Sequence, residues 1–204
     1  EFFTLYRNES DPKKRETILR QALEMFPSFM IAANDLAALL IERGEPDPEL
    51  LEKFAGEKAP VAVNTNHAIA LLKDQQYSEA DEIMSYVPKT DNTRLLHAVN
   101  GAFNGRYEDN YSVIAATSKR NNLLMLLAMK RNSEALKLSR ELPDDEALTH
   151  YLRAVCLNRA EDAVGAYDEL KRAFEMDPSL KNIAHVDGDV NDLLVEKHNK
   201  EGLQ

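Results

Sequence analysis

The chain has 204 residues, with 25 lysines and arginines against 35 aspartates and glutamates, 44% apolar residues, one cysteine and no tryptophan. That is enough apolar chain for one or two domains with a core, which excludes wholesale disorder. The net charge of −10 argues against a sequence-independent nucleic-acid binder and against docking on anionic lipid, both of which need a large basic patch.

Helical spacing runs through the chain, and strand alternation is nearly absent. The first stripe is Ile18, Leu19, Ala22, Leu23 and Phe26, closed by Pro27. The next apolar run, 29–41, is interrupted by Asn34 and Asp35, so it is a buried helix rather than a membrane span, and Gly44 ends it. In Glu45-Pro46-Asp47-Pro48-Glu49, Asp47 is expected to cap a further helix with Pro48 in its first turn. Pro60, Pro88, Gly105, Pro143 and Pro178 each follow a stretch of about one helix length. The last clear stripe is Ala163, Ala166, Tyr167, Leu170, Ala173 and Phe174.

A period underlies these stretches. Aligning the helices brings Ala37, Ala68, Ala98, Leu123 and Ala154 to equivalent points, with steps of 31, 30, 25 and 31 residues. A second register, Ala80, Asn110, Ala135 and Ala166, has steps of 30, 25 and 31, and lies 12 residues after the first. One mark in each of two antiparallel helices joined by a short turn makes every unit a helical hairpin. A short side chain at each mark lets neighbouring helices approach closely.

Tyr151-Leu152-x-Ala154, followed by Asp162, Ala166, Leu170, Ala173-Phe174 and Asp177-Pro178, resembles one tetratricopeptide repeat without a gap. Ala68, Leu71 and Gln76-Tyr77-Ser78-Glu79-Ala80 resemble the same motif around its turn, as do Ala98 and Gly105-Arg106-Tyr107, and Ala22 with Pro27 resembles the end of an earlier unit. The units here are nearer 30 than the family's 34 residues, and Asn110 and Leu123 replace alanines. The resemblance covers about residues 15–180. It implies an all-α, right-handed α–α superhelix of about five divergent hairpins in a single domain, 1–204, with repeats over about 15–178 and a capping segment, 179–204. Leu180, Ile183, Ala184, Val186, Val190, Leu193 and Leu194 are expected to cover the last hairpin, and Lys197 to Gln204 to fray. Ala22-Leu23-x-x-Phe26-Pro27 with Asn34-Asp35-Leu36-Ala37 also resembles the helical-repeat regions of bacterial envelope proteins that carry an OmpA-like domain.

No catalytic motif stands out. There is no Gly-rich phosphate loop, no His-Glu-x-x-His, no Gly-x-Ser-x-Gly and no paired-Cys spacing, so neither an enzyme nor a cofactor is expected. Asp187-Gly-Asp-Val-Asn-Asp192 alternates oxygen ligands like a calcium loop, but Asp192 stands where the sharp turn needs Gly and His198 where Glu is needed. A polar turn with Asp189 capping the last helix is the expectation. His67, His97, His150, His185 and His198 form no metal-ligand pair, although the first three fall near one place in successive first helices. Cys156, flanked by Val155 and Leu157, reads as a buried inert thiol. Asn8-Glu9-Ser10 and Asn110-Tyr111-Ser112 match the glycosylation tripeptide, a frequent chance match.

The resemblance implies a concave face lined by first helices. By its register that face would carry Asn34, Asn66, Lys73, Arg120, Asn121, Tyr151, Asn158 and Arg159. Asn pairs with a peptide backbone, Arg and Lys with carboxylates, and Tyr offers flat contact area. The expected function is a noncatalytic protein-binding or assembly scaffold that takes a peptide or protein partner, without nucleic acid and without membrane insertion. The alternative is a structural helical spacer in a larger envelope protein. A start at Glu-Phe-Phe is expected of a fragment or processed form, on the periplasmic or surface side of a bacterial envelope or, alternatively, in the cytoplasm.

Overall fold

A computed structural model describes residues 2–194. The described residues are all-α, without a strand. The chain divides into two compact units, 1–110 and 111–204, and the division falls inside a helix.

In the first unit α1 (Phe2–Asn8), α2 (Pro12–Met25), α3 (Met30–Arg43), α4 (Glu49–Glu52), α5 (Val61–Lys73), α6 (Tyr77–Met84) and α7 (Arg94–Phe103) follow one another. After α8 (Tyr107–Ala115), which carries the division, the second unit contains α9 (Lys119–Ala128), α10 (Asn132–Ser139), α11 (Ala147–Arg159), α12 (Ala163–Met176) and α13 (Leu180–Ala184). A further helix opens at Asn191. Within each unit helices pack on helices one or two places away in the chain order, as in the pairs α2–α3, α3–α5, α5–α6, α9–α10 and α11–α12.

The small-residue marks lie where the helices meet. Ala37, Ala68, Ala98, Leu123 and Ala154 are all buried, as are Ala80, Ala135 and Ala166. Asn110 is half-buried.

One helix ending recurs five times. Seven residues after each first mark, Gly44, Gln75, Gly105, Lys130 and Glu161 have φ of 76°, 64°, 80°, 58° and 64°. The next residue then donates its amide back across the turn: Glu45 to Leu40 O, Gln76 to Leu71 O, Arg106 to Gly101 O and Arg131 to Leu126 O at 2.9 Å, and Asp162 to Leu157 O at 3.0 Å. This is the left-handed closure that satisfies the orphan carbonyls of a helix terminus. It reverses the chain into the second helix at each mark.

Second helices also end alike where proline follows. Ser85, Tyr86 and Val87 donate amides three residues back, as do Glu141 and Leu142, so α6 and α10 tighten before Pro88 and Pro143. Proline has no N–H, and it disfavours helical backbone in the residue before it. Starts are capped by side chains at Asp11 (to Lys13 N, 2.9 Å), Ser118 (to Asn121 N, 3.0 Å) and Asp162 (to Gly165 N, 2.9 Å).

Two local expectations need correction. The helix after Pro48 is a single turn, and Pro48 rather than Asp47 sits at its cap. The segment beyond it is held instead by buried Asn64, which accepts from Gly56 N at 2.9 Å and donates to Gly56 O at 3.0 Å. In the capping segment Leu180, Ala184, Val190 and Leu193 are buried, but Ile183 is 51% and Val186 82% exposed. A five-residue α13 has too little helix to turn all its apolar side chains inward. The expectation for Lys197 to Gln204 lies outside the described residues, as does His198.

Candidate interaction site

The eight residues read as a partner-binding row have different fates. In the first unit Asn66 Nδ2 donates to Asn34 Oδ1 at 3.0 Å, linking α5 to α3, and both side chains are half-buried. Lys73 is exposed in the last turn of α5, where a cation is favoured by the helix dipole. In the second unit Arg120 pairs with Glu146. Asn121 Nδ2 donates to Thr117 Oγ1 at 2.7 Å, across the start of α9.

Of the expected concave-face residues, Tyr151, Asn158 and Arg159 are engaged by the chain itself. Tyr151 is 4% exposed, and its hydroxyl donates to Asp187 Oδ2 at 2.7 Å. Arg159 donates from Nε to Asp189 Oδ1 at 2.8 Å and from Nη2 to Asp189 Oδ2 at 2.6 Å, a bidentate pair, and from Nη1 to Leu127 O at 2.7 Å. Asn158 Nδ2 donates to Asp189 O at 2.9 Å. One face of α11 therefore grips the turn that follows α13. Burial, then the Asp187 carboxylate, pushes the Tyr151 phenol well above its ordinary value, and the bond to Asp189 raises the Arg159 guanidinium. Both Asp189 carboxylate oxygens accept from Arg159. Asp187 and Asp189 are the site residues that sequence reasoning missed.

The histidines do not form a shared row. His67, His97, Asn122 and Arg153 stand immediately before successive first marks. From that position His97 Nε2 bonds Val87 O at 3.0 Å and Arg153 Nη2 bonds Leu142 O at 2.6 Å. Asn122 Oδ1 accepts from the Tyr111 hydroxyl at 2.9 Å. These side chains fasten the end of the preceding hairpin. His150 lies one turn earlier on α11, with Nδ1 2.6 Å from Glu169 Oε2 and Nε2 2.9 Å from Asp144 O.

A polar trough of about 680 Å³ lies in the first unit between α6 and the start of α8. Asp81 is its centre: Arg106 donates to both carboxylate oxygens at 2.6 and 3.1 Å, and buried Asn100 donates to Oδ1 at 2.6 Å. Arg106 holds the Asp81 carboxyl below its usual range. Asn110 Nδ2 donates to Arg106 O at 2.7 Å, so in this fold the second glycosylation tripeptide presents an engaged amide.

Cys156 is fully buried, and burial pushes its thiol up to about 11. Among the described residues no three His, Cys, Asp or Glu side chains gather as a metal site, and no helix is long and apolar enough to cross a membrane. No protein-family model and no curated protein sequence matches the chain.

Proposed function

We propose that each unit is a short stack of divergent tetratricopeptide-like hairpins, and that the protein is a noncatalytic module that binds a protein or peptide partner. The recurrence of one left-handed helix ending at Gly44, Gln75, Gly105, Lys130 and Glu161 carries this reading. Its steps repeat those of the buried marks, so one supersecondary unit is used five times. Repetition of this kind builds extended surfaces from first helices, where side chains that do not face the hairpin partner meet a ligand.

Asn66 and Lys73 in the first unit and Arg120 and Asn121 in the second are at least partly exposed row residues that do not hold the turn at 187–189. The test is crosslinking capture from source cells with the wild-type chain and with a variant carrying Asn66→Ala, Lys73→Ala, Arg120→Ala and Asn121→Ala, after both are shown to melt alike. A partner identified with the wild type and lost with the variant supports recognition through these side chains. Equal capture by both removes the row from the interface. No capture by either leaves the alternative, a helical spacer in a larger envelope protein.

A further inference from the structure

Between buried Ala184 and buried Val190 the chain makes no apolar anchor: Val186 is the most exposed large hydrophobic among the described residues. The segment is instead held at 187–189 by donors from α11. Tyr151 takes the first carboxylate, Arg159 takes the second with a two-pronged bond, and Asn158 takes the second residue's carbonyl. Asp189 N donates to Asp187 Oδ1 at 2.9 Å, which preforms the turn that presents both carboxylates on one side. Val190 then inserts into the core of the second unit. Nothing lies within 4 Å of a Cβ placed on Gly188, so the middle residue is not read.

This is the geometry of a ligand site, with directional charge-assisted bonds to two side chains, a backbone contact, an apolar pocket and one unread position. We propose that Tyr151, Asn158 and Arg159 form a clasp for an Asp-x-Asp turn followed by an aliphatic residue. The chain's own Asp187-Gly188-Asp189-Val190 fills it in this structure, and the same motif on a partner protein enters when that loop is displaced. The inference rests on the protein-binding reading above and names the partner's chemistry. The tethered loop competes at high effective concentration, so the clasp is closed to weak ligands and opens to those that also contact neighbouring helices. Locally the charge is complementary: Arg159, 25% exposed at the side chain, supplies the cation, and it acts against the long-range repulsion of a chain with net charge −10.

The experiment titrates a labelled peptide of residues 185–194 (His-Val-Asp-Gly-Asp-Val-Asn-Asp-Leu-Leu) against the full chain by fluorescence anisotropy. The double variant Asp187→Asn/Asp189→Asn weakens the internal loop and is expected to bind the peptide at least about tenfold more tightly than the wild type, because the competent fraction of clasp rises. Adding Arg159→Ala should abolish that binding, and a peptide with the aspartates at positions 187 and 189 changed to Asn should not bind. A double variant that melts like the wild type yet binds no better overturns the clasp, as does binding indifferent to Arg159→Ala. Should the double variant fail to fold, wild-type chain with excess peptide is followed through the Arg159 Nε–H resonance. Displacement of the loop shifts that resonance, and an unmoved resonance overturns the proposal. Partner capture that depends on Asn66 and Lys73 would survive either failure, so the two readings fall separately.

Discussion

Gly101 and Asn110 exchange bulk across the seam of one hairpin. At the equivalent pairs Leu71 packs with Ala80 and Leu126 with Ala135, large against small. Here the large apolar residue is a glycine and the alanine an asparagine. A Cβ on Gly101 would approach Asn110 Cγ to 2.9 Å and run into its amide nitrogen. The pair moves the larger side chain to the opposite helix and turns the seam polar, beside the trough centred on Asp81.

Gly101→Ala should therefore destabilise the chain by about 1–3 kcal/mol through overpacking. In the double variant Gly101→Ala/Asn110→Ala the clash is removed, and the loss should be smaller than the sum of the two single losses by about 0.5 kcal/mol or more. Urea unfolding of the four proteins of the cycle measures this, and strict additivity would refute the bulk exchange.

Gln75, Lys130 and Glu161 adopt the left-handed conformation with a Cβ present. Each should gain about 0.5–1 kcal/mol on substitution by Gly, the relief of the αL cost less the extra unfolded-state freedom of glycine. Gly44→Ala and Gly105→Ala should lose stability by a similar amount. Thermal melts that move in the opposite direction at these positions would contradict the shared turn.

Asp81 gives the chain an acid-sensitive element. Its folded-state carboxyl is depressed by Arg106 first and by Asn100 in addition, so the stabilisation is present above the unfolded-state value. It is lost as pH falls through the folded-state value, below about pH 4. Arg106→Ala should flatten the acid limb of a stability-versus-pH curve and leave its neutral portion less affected. An unchanged acid limb would mean that the pair carries no linkage.

Asn64 is buried and spends its amide on both backbone groups of Gly56, which has φ of 129°. Asn64→Ala should cost about 1–3 kcal/mol, since it strands buried polar groups of the segment leading into α5. Amide exchange at Gly56 should quicken in that variant, and protection equal to wild type would exclude the assigned bond.

Much of the helical order was legible, because Ala37, Ala68, Ala98, Leu123 and Ala154 follow one another by 31, 30, 25 and 31 residues and each must be small or apolar to be buried. The turns were legible at Gly44 and Gly105, where glycine advertises positive φ. At Gln75, Lys130 and Glu161 nothing in the residue type does so, and only the offset from the marks finds them. Tyr151, Asn158 and Arg159 were legible as donors facing away from their hairpin partner, but not as already occupied. The available signal was spacing: Asp189 follows Arg159 by 30 residues, one period, where the next first helix would have placed its contact. The single turn of α4 escaped notice because Pro48 announces a helix start without setting its length.

The side chains that stand just before the marks reach backward along the chain. Val87 O is met by His97, 10 residues later, and Leu142 O by Arg153, 11 residues later. During synthesis, each of these two carbonyls must wait for the following helix to leave the ribosome before its side-chain donor arrives. A nascent chain stalled when Pro88 or Pro143 has just emerged from the ribosome thus carries a hairpin whose exit is still unlatched, and a pause at that stage would prolong its exposure to proteases and chaperones.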